Sequence, residues 1–398
     1  MQKKILIIGG GEWQIPIIRK AKSMGYYVIN TNLYENSPGF EFADQVAVVD
    51  VLDLEHNLKI AKKHQVDAVV TDQSDIAVKT VAYVAEKMAL VGVSIDIAEL
   101  YTNKYRMRKE LKAEGLSQVN FKLCHSFDEA LAFLYEYKKI VIKPIDSQSS
   151  RGVFVIESAL QLKEFLPKTI SFSQQAGFLA EEFIEGAEIT VEGFKPINGR
   201  HKSLAVSQKS HIENTCIANS LIYKQYHKFI HAESIEKIND MMFSRLPFGI
   251  THVEYKVNRT GVYLIEAAIR GGGTNISSDI IPLVSGVDVN ELLLKSLFNN
   301  DQVQIESKSN RGACALVFFE VLPGKVVLVE GESYLKKYAQ SYSLPRIGQV
   351  LAVPTDDRSR AGFFIVGADN DAQLSIKVDT ILEKVKIKTN VKVYNEEA

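Results

Sequence analysis

Residues 1 to about 100 alternate short apolar runs with amphipathic stretches, and this alternation narrows the possible folds more than any other feature. The runs in KKILII, YYVINTN and DAVVTD are rich in β-branched residues, the pattern of strands buried on both faces. Helical stretches lie between and after them. One runs from about Glu12 to Met24 and is closed by Gly25, a second from Asp53 to His64, and a third from a serine cap at Ser74 to Met88. Strand and helix in this order predict a parallel sheet with helices on its faces. The first turn, Gly9-Gly10-Gly11-Glu12-Trp13-Gln14, partly matches a dinucleotide fingerprint, but Gln14 stands where the third glycine belongs. Tight strand-to-helix turns use glycine for backbone geometry alone. An NAD(P)-dependent oxidoreductase therefore stays only as an alternative.

The remainder is ordinary globular sequence. With 398 residues, 46% hydrophobic and 24% charged, the chain is long enough for two to four domains. A net charge of −1, without a basic tail or cluster, argues against nucleic acid and membrane surfaces and for small-molecule partners. Cys124, Cys216 and Cys314 have no metal spacing and read as free thiols. The opening apolar run is too short for a signal or membrane segment, so a cytoplasmic protein is expected.

Chemistry-bearing residues begin after the first hundred. One helix is predicted from Asp96 to about Glu114, with Lys104, Arg106, Arg108 and Lys109 on a solvated face. Lys143 then ends the apolar run KKIVIK, where an unpaired ammonium would be costly unless it met an anion. The small polar loop from Asp146 to Gly152, containing Ser147, Ser149 and Ser150, suits a lid over phosphates and equally a plain connecting loop. In FLAEEFIEGAE, Glu181 and Glu182 precede Phe183 and Ile184, and Glu188 follows Gly186. That connector exposes backbone groups to which an adenine edge can bond, with Glu188 placed for ribose hydroxyls. From Gly199 to Gln225 the chain is polar and irregular, with Lys209 and His211, and either a substrate-facing or a disordered loop fits it.

The stretch Gly249 to Gly273 is where the chemistry is expected to converge. HVEYKV and VYLIEAA flank the turn Asn258-Arg259-Thr260-Gly261 and read as a hairpin. Each strand carries one carboxylate, Glu254 and Glu266, 266 − 254 = 12 positions apart. A loop of odd length would set them side by side, where they would repel unless a cation sat between them. An oxygen-only donor pair suits Mg²⁺ or Mn²⁺, with phosphate oxygens completing the shell. Arg270 and the following Gly271, Gly272 and Gly273 offer positive charge and N–H groups for an anion. An ordinary hairpin with two acids on a solvated face fits the same residues. From about Gly312 to Gly367 short β runs alternate with Gly and Pro turns, and a last helix from Asp371 to about Val385 closes a small C-terminal unit.

In this order the signals resemble the ATP-grasp superfamily, above all its carboxylate-amine ligases, which include L-amino acid ligases and enzymes similar to biotin carboxylase. The resemblance implies a multidomain fold of mixed α/β and α+β class. Its parts are a parallel α/β domain at 1–100, an ATP-grasp small subdomain with lid and hinge at 101–190, a large subdomain with the metal and substrate site at 191–308, and a β-rich domain at 309–398. It implies that Lys104 and Lys143, 143 − 104 = 39 positions apart, hold ATP phosphates. Ser147 to Gly152 then form the lid, Glu181 to Ile184 meet adenine and Glu188 meets ribose. Glu254 and Glu266 are implied as Mg²⁺ or Mn²⁺ ligands. Arg270, Gly271, Gly272 and His211 are implied on the substrate side, with Arg270 and Lys143 acting in catalysis. Such an enzyme makes an acyl phosphate from a substrate carboxylate and couples it to an amine, such as an amino acid, releasing ADP and phosphate. A homodimer through the first domain is also implied. The family commonly reads Glu-x-Asn-x-Arg, whereas this chain has Glu266-Ala267-Ala268-Ile269-Arg270. That departure, and a lid richer in serine than glycine, leave open a nucleotide-binding protein without ligase activity.

Overall fold

The N-terminal alternation folds as its pattern demands. The computed structural model describes residues 2–390 apart from 149, 174, 214, 226–228, 230, 299–304, 306–311 and 358. Strands β1 (Lys4–Ile8), β2 (Tyr27–Asn32), β3 (Gln45–Val48) and β4 (Ala68–Val70) form a parallel sheet in the order β3-β2-β1-β4. Helices α1 (Ile15–Ser23), α2 (Leu54–His64) and α3 (Asp75–Lys87) accompany it. Ile5 to Ile8 are fully buried and divide between two apolar clusters, as a strand covered on both faces must. Asp53 caps α2 by accepting from the His56 N–H, and Gln65 ends it in a left-handed conformation.

The single helix predicted from Asp96 to Glu114 is two helices, α4 (Ile95–Thr102) and α5 (Lys104–Ala113). Asn103 leaves the helical region, with φ −116° and ψ 106°, and its side chain accepts from the Arg106 N–H at 2.9 Å. An Asn side chain that caps the next helix outcompetes continuation of the first. The break also corrects the predicted solvated basic face. Lys104 and Arg108 are buried one turn apart, and only Arg106 of the trio spreads into surface pairs with Asp96, Glu99 and Glu110.

The lid unit is an antiparallel sheet of β5 (Phe121–Cys124), β6 (Ile140–Lys143), β7 (Phe154–Ile156) and β8 (Phe178–Glu182), in the order β5-β8-β6-β7. It packs on α6 (Phe127–Tyr137) and α7 (Ala159–Ser171).

An eight-stranded antiparallel sheet follows. Its strands are β9 (Ala187–Lys195), β10 (Lys202–His211), β11 (Ala218–Gln225), β12 (Gly249–Asn258), β13 (Gly261–Ala268) and β14 (Ala313–Phe318). Beyond β15 (Gly324–Glu330) come β16 (Ser341–Ser343), β17 (Val350–Leu351) and β18 (Phe363–Ala368), and the sheet order is β13-β12-β9-β10-β11-β14-β18-β16. The stretch Gly199 to Gln225, expected to be irregular, is therefore largely the hairpin of β10 and β11. Its polarity is local, since Lys209 pairs with Leu221 across the hairpin and both line a cleft together with His211, while Leu204, Ala205 and Val206 are buried. The C-terminal strands β14, β18 and β16 extend the same sheet. A small sheet, β17-β15-β19 with β19 (Lys386–Asn390), lies beside them. The remaining helices are α8 (Ala232–Met242), α9 (Ile281–Ser285), α10 (Val289–Ser296), α11 (Glu332–Tyr338) and α12 (Asp371–Lys384). Cys124, Cys216 and Cys314 are free thiols. Among the described residues, no helix is long and apolar enough to cross a membrane.

Candidate active site

A cleft of about 1640 Å³ lies between the lid unit, the face of the large sheet and the C-terminal ends of β1 and β4. Two lysines enter it from different elements. Lys143 ends β6, and Lys104 opens α5, where a cation opposes the helix dipole and needs compensation. That compensation is specific. The Lys104 ammonium donates to Glu266 at 2.6 Å and to the Ser147 carbonyl at 2.7 Å. Burial lowers the Lys104 pKa, but Glu266 together with Asp75 and Glu254 makes the net shift upward.

Glu254 and Glu266 are cross-strand partners. The turn between their strands is only two residues, Arg259 and Thr260, an even count that would have put Glu254 opposite Ile265. The register instead shifts beside Tyr255, so that Tyr255 faces Leu264 while Glu254 faces Glu266. This β-bulge does what an odd loop would have done. Arg108 secures it, since its guanidinium donates to the Leu264 carbonyl at 2.5 Å and to the Ile265 carbonyl at 2.7 Å. Facing carboxylates destabilise a sheet, and here cations answer both, Lys104 at Glu266 and Lys209 at 3.1 Å from Glu254. Burial raises the Glu254 carboxyl, yet Lys209 and His252 hold it well below the usual range.

Glu181, expected at adenine, turns its carboxylate inward. It pairs with Arg108 at 2.9 Å and Lys143 at 2.6 Å, and all three side chains are buried. Burial pushes Glu181 up, but the two cations bring it below its ordinary value, while burial lowers Lys143 despite its partner. Glu182 accepts from the Asn120 backbone and side chain at 3.0 and 3.1 Å. Phe183 and Ile184 line the cleft, with the Lys139 ammonium 4.2 Å above the Phe183 ring. Glu188 sits between Lys209 at 2.8 Å and Lys256 at 3.1 Å, with His211 at 3.4 Å. Ser147, Ser150 and Gly152 also line the cleft, and Ser149 lies outside the described residues. Gly152 has φ +72°, and a Cβ there would come within 2.9 Å of Phe172 and Pro144, which explains the one glycine in that loop.

Arg270 lines the cleft and is clamped by Asp75, at the start of α3, through Nε at 2.8 Å and Nη2 at 2.9 Å. Burial would lower the arginine's pKa, and Asp75, with Glu266 and Glu192, raises it on balance. Of the three glycines after it, Gly273 lines the cleft. Gly271 is buried with its N–H already donated to the Asp72 carbonyl at 2.7 Å, and Gly272 packs on Ile276, Glu192 and His252.

Sequence reasoning missed Arg108, Asp75, Lys209, Glu192 and the pair Asp357 and Arg360. Glu192 is fully buried on β9 and bonded to His252 at 2.8 Å. Asp357 accepts from lid Ser150 at 3.3 Å and from Arg360 at 3.1 Å. Charged residues in a strongly apolar strand, such as Glu192 in EITVEGF, were the available signal. Asp75 carried none, because it meets Arg270 195 positions away, and for Asp357 the local partner Arg360 gave no hint of lid Ser150, 207 positions away.

The family description for an ATP-grasp domain matches residues 137–278, the span holding Lys143, the lid, the hinge and both hairpin carboxylates. Over that span the chain is similar to ATP-grasp domains. It is 23% identical over 396 residues to the formate-dependent phosphoribosylglycinamide formyltransferase of Prochlorococcus marinus, covering 97% of this chain and 98% of that protein. It is 27% identical over 274 residues to alanine–anticapsin ligase of Bacillus subtilis, covering 61% of this chain and 56% of that one. In fold it is similar to an L-amino acid ligase from Bacillus licheniformis, with TM-score 0.82 and 19% identity, covering 98% and 99% of the two chains. It is also similar to the biotin carboxylase domain dimer of Hydrogenobacter thermophilus 2-oxoglutarate carboxylase, solved with MgADP and bicarbonate, with TM-score 0.76 and 16% identity over 97% and 91%. The facing pair of the ATP-grasp hairpin fits Mg²⁺ chemically, with two carboxylates opening onto a cleft that has room for phosphate oxygens.

Proposed function

We propose that this protein is an ATP- and Mg²⁺-dependent ligase of the carboxylate-amine type that activates a substrate carboxylate as an acyl phosphate and couples it to an amine such as an amino acid, releasing ADP and phosphate. The observation carrying this reading is that Lys104, Lys143, Glu254, Glu266 and Arg270, spread over 167 positions by 270 − 104 = 166 steps, line one cleft. Lys104 and Lys143 offset the phosphate charge of ATP. Glu254 and Glu266 hold Mg²⁺, which when bound screens the phosphates and orients the transferred group. The substrate carboxylate attacks the γ-phosphorus and ADP leaves; an amine then attacks the acyl carbon, forming the amide and releasing phosphate. Three of the five Arg270 N–H groups are held by Asp75 and Gly271, which leaves two to hold the carboxylate or the developing oxyanion. The backbone of Glu181 to Ile184 and the side chain of Glu188 are proposed to take adenine and ribose, Ser147 to Gly152 to cover the phosphates, and His211 to sit on the substrate side. The four-part division at 100, 190 and 308, and a homodimer through the first domain, belong to the same proposal. Light scattering tests the dimer.

The reaction is tested by incubating the protein with ATP, Mg²⁺ and pooled carboxylates and amino acids. Substrate-dependent release of ADP and phosphate, with an amide product by mass spectrometry, is expected. No such release from any pool would refute the proposal.

A further inference from the structure

Glu254 and Glu266 give the hairpin two carboxylate donors, and the neighbouring positions add none. Ala268, two residues beyond Glu266, is a buried methyl whose cross-strand partner is His252. His252 Nδ1 is committed to buried Glu192 at 2.8 Å. Among the described residues, no group of three or more His, Cys, Asp or Glu side chains is placed to hold a metal ion. Mg²⁺ needs near-octahedral oxygen coordination and is well served by one or two carboxylates, phosphate oxygens and water. The donors beside this polyphosphate site suit one such ion and are too few for a pair.

The cleft has a fixed cation where more positive charge would be wanted. Lys209, on β10, faces Glu188 of β9 in register and reaches Glu254 of β12 beyond it, with its ammonium 2.8 Å from Glu188 and 3.1 Å from Glu254. The side chain is only 8% exposed, yet it lines the cleft. Two carboxylates hold the ammonium in place, and a compact ammonium is a point charge well suited to phosphate oxygens.

We propose that Lys209 is a built-in cation for the ATP polyphosphate, and that this ligase binds its nucleotide with a single divalent ion. The inference rests on the ATP and Mg²⁺ reading of the cleft, but not on which carboxylate or amine is joined. Lys209 stabilises the charge that a second ion would otherwise carry.

Bound Mn²⁺ counted by electron paramagnetic resonance, with the full chain saturated by a non-hydrolysable ATP analogue, is expected to be one ion per chain. Two ions with analogue bound would overturn this inference alone, whereas no analogue binding would refute the nucleotide reading of the cleft as well. Lys209→Gln is expected to weaken the analogue about tenfold or more at saturating Mn²⁺, and Lys209→Arg to recover most of the loss. Circular dichroism checks that the variants are folded. Unchanged analogue affinity in folded Lys209→Gln would reduce the lysine to a structural partner of Glu188 and Glu254 and overturn the proposal. Should Lys209→Gln not fold, the wild-type ion count and the Lys209→Arg affinity decide it, and a Lys209→Arg variant without analogue affinity would count against it.

Discussion

Replacing Glu181 by Ala should be among the most damaging single changes in the lid unit. Its carboxylate bridges the Arg108 guanidinium at 2.9 Å and the Lys143 ammonium at 2.6 Å, and side-chain exposures are 4%, 1% and 6%. Truncation would leave two cations facing each other with no counter-charge, and an unpaired buried ion costs about 3–5 kcal/mol. Arg108 keeps Ser117 and two carbonyls, so the Lys143 side of the bridge should bear most of the penalty. Thermal unfolding at pH 7, followed by near-ultraviolet circular dichroism, should show a midpoint lowered by roughly 10 °C. The double variant Glu181→Ala with Lys143→Met should recover part of it, because one stranded charge is gone. The net depression of the Glu181 pKa sets the pH dependence. A depressed carboxyl contributes stability above its unfolded value near about 4.3 and loses it as pH falls through the folded value. The gap between wild type and variant should therefore narrow in acid. A loss below about 1 kcal/mol at pH 7, or a gap that widens in acid, would refute the assignment of Glu181 as a buried counter-ion.

Glu266→Gln should lower turnover by about two orders of magnitude or more and also lower the thermal midpoint, since it takes the counter-charge from the buried Lys104 ammonium 2.6 Å away; undiminished turnover would remove Glu266 from the metal site. Asp72 is fully buried, and burial raises its pKa to about 7. A raised folded pKa means that stability falls as pH climbs from about 4 through 7, by on the order of 4 kcal/mol. Asp72→Asn should flatten that decline and exceed wild type in stability at pH 8, and parallel stability–pH curves for the two proteins would contradict it. Asn103→Ala removes the cap on the Arg106 N–H and should cost about 1 kcal/mol, together with weaker nucleotide binding because Lys104 is the next residue. Calorimetry of both quantities checks this, and a stability loss without any change in binding would separate the cap from the site.

Much of the fold was legible because it rests on local chemistry. β-branched runs buried on both faces, an Asp cap at α2 and a two-residue turn between β12 and β13 need only neighbours in sequence. The polar stretch Gly199 to Gln225 was misjudged because Lys209 and His211 line the cleft from a regular hairpin while His201 is buried against Thr251. Polarity there marks a site face rather than a lack of structure. The helix break at Asn103 was visible as an Asn followed by helix formers, but choosing a cap over continuation depends on Lys104 finding Glu266, 162 positions away.

The residue types of the site were written in the order of the chain: two lysines, a pair of hinge acids, two hairpin carboxylates and an arginine. Those types follow from the chemistry of a polyphosphate and its metal, and composition alone limits what they can bind. Which charges meet was decided only in three dimensions. The Glu181 carboxylate met Lys143, Gly271 spent its N–H on Asp72, and Asp75 clamped Arg270. Above all, a bulge steadied by Arg108 brought Glu254 opposite Glu266. A buried charge takes whichever partner the packed elements bring within hydrogen-bond reach, and that distance is set by the packing of the whole chain and not by the local sequence.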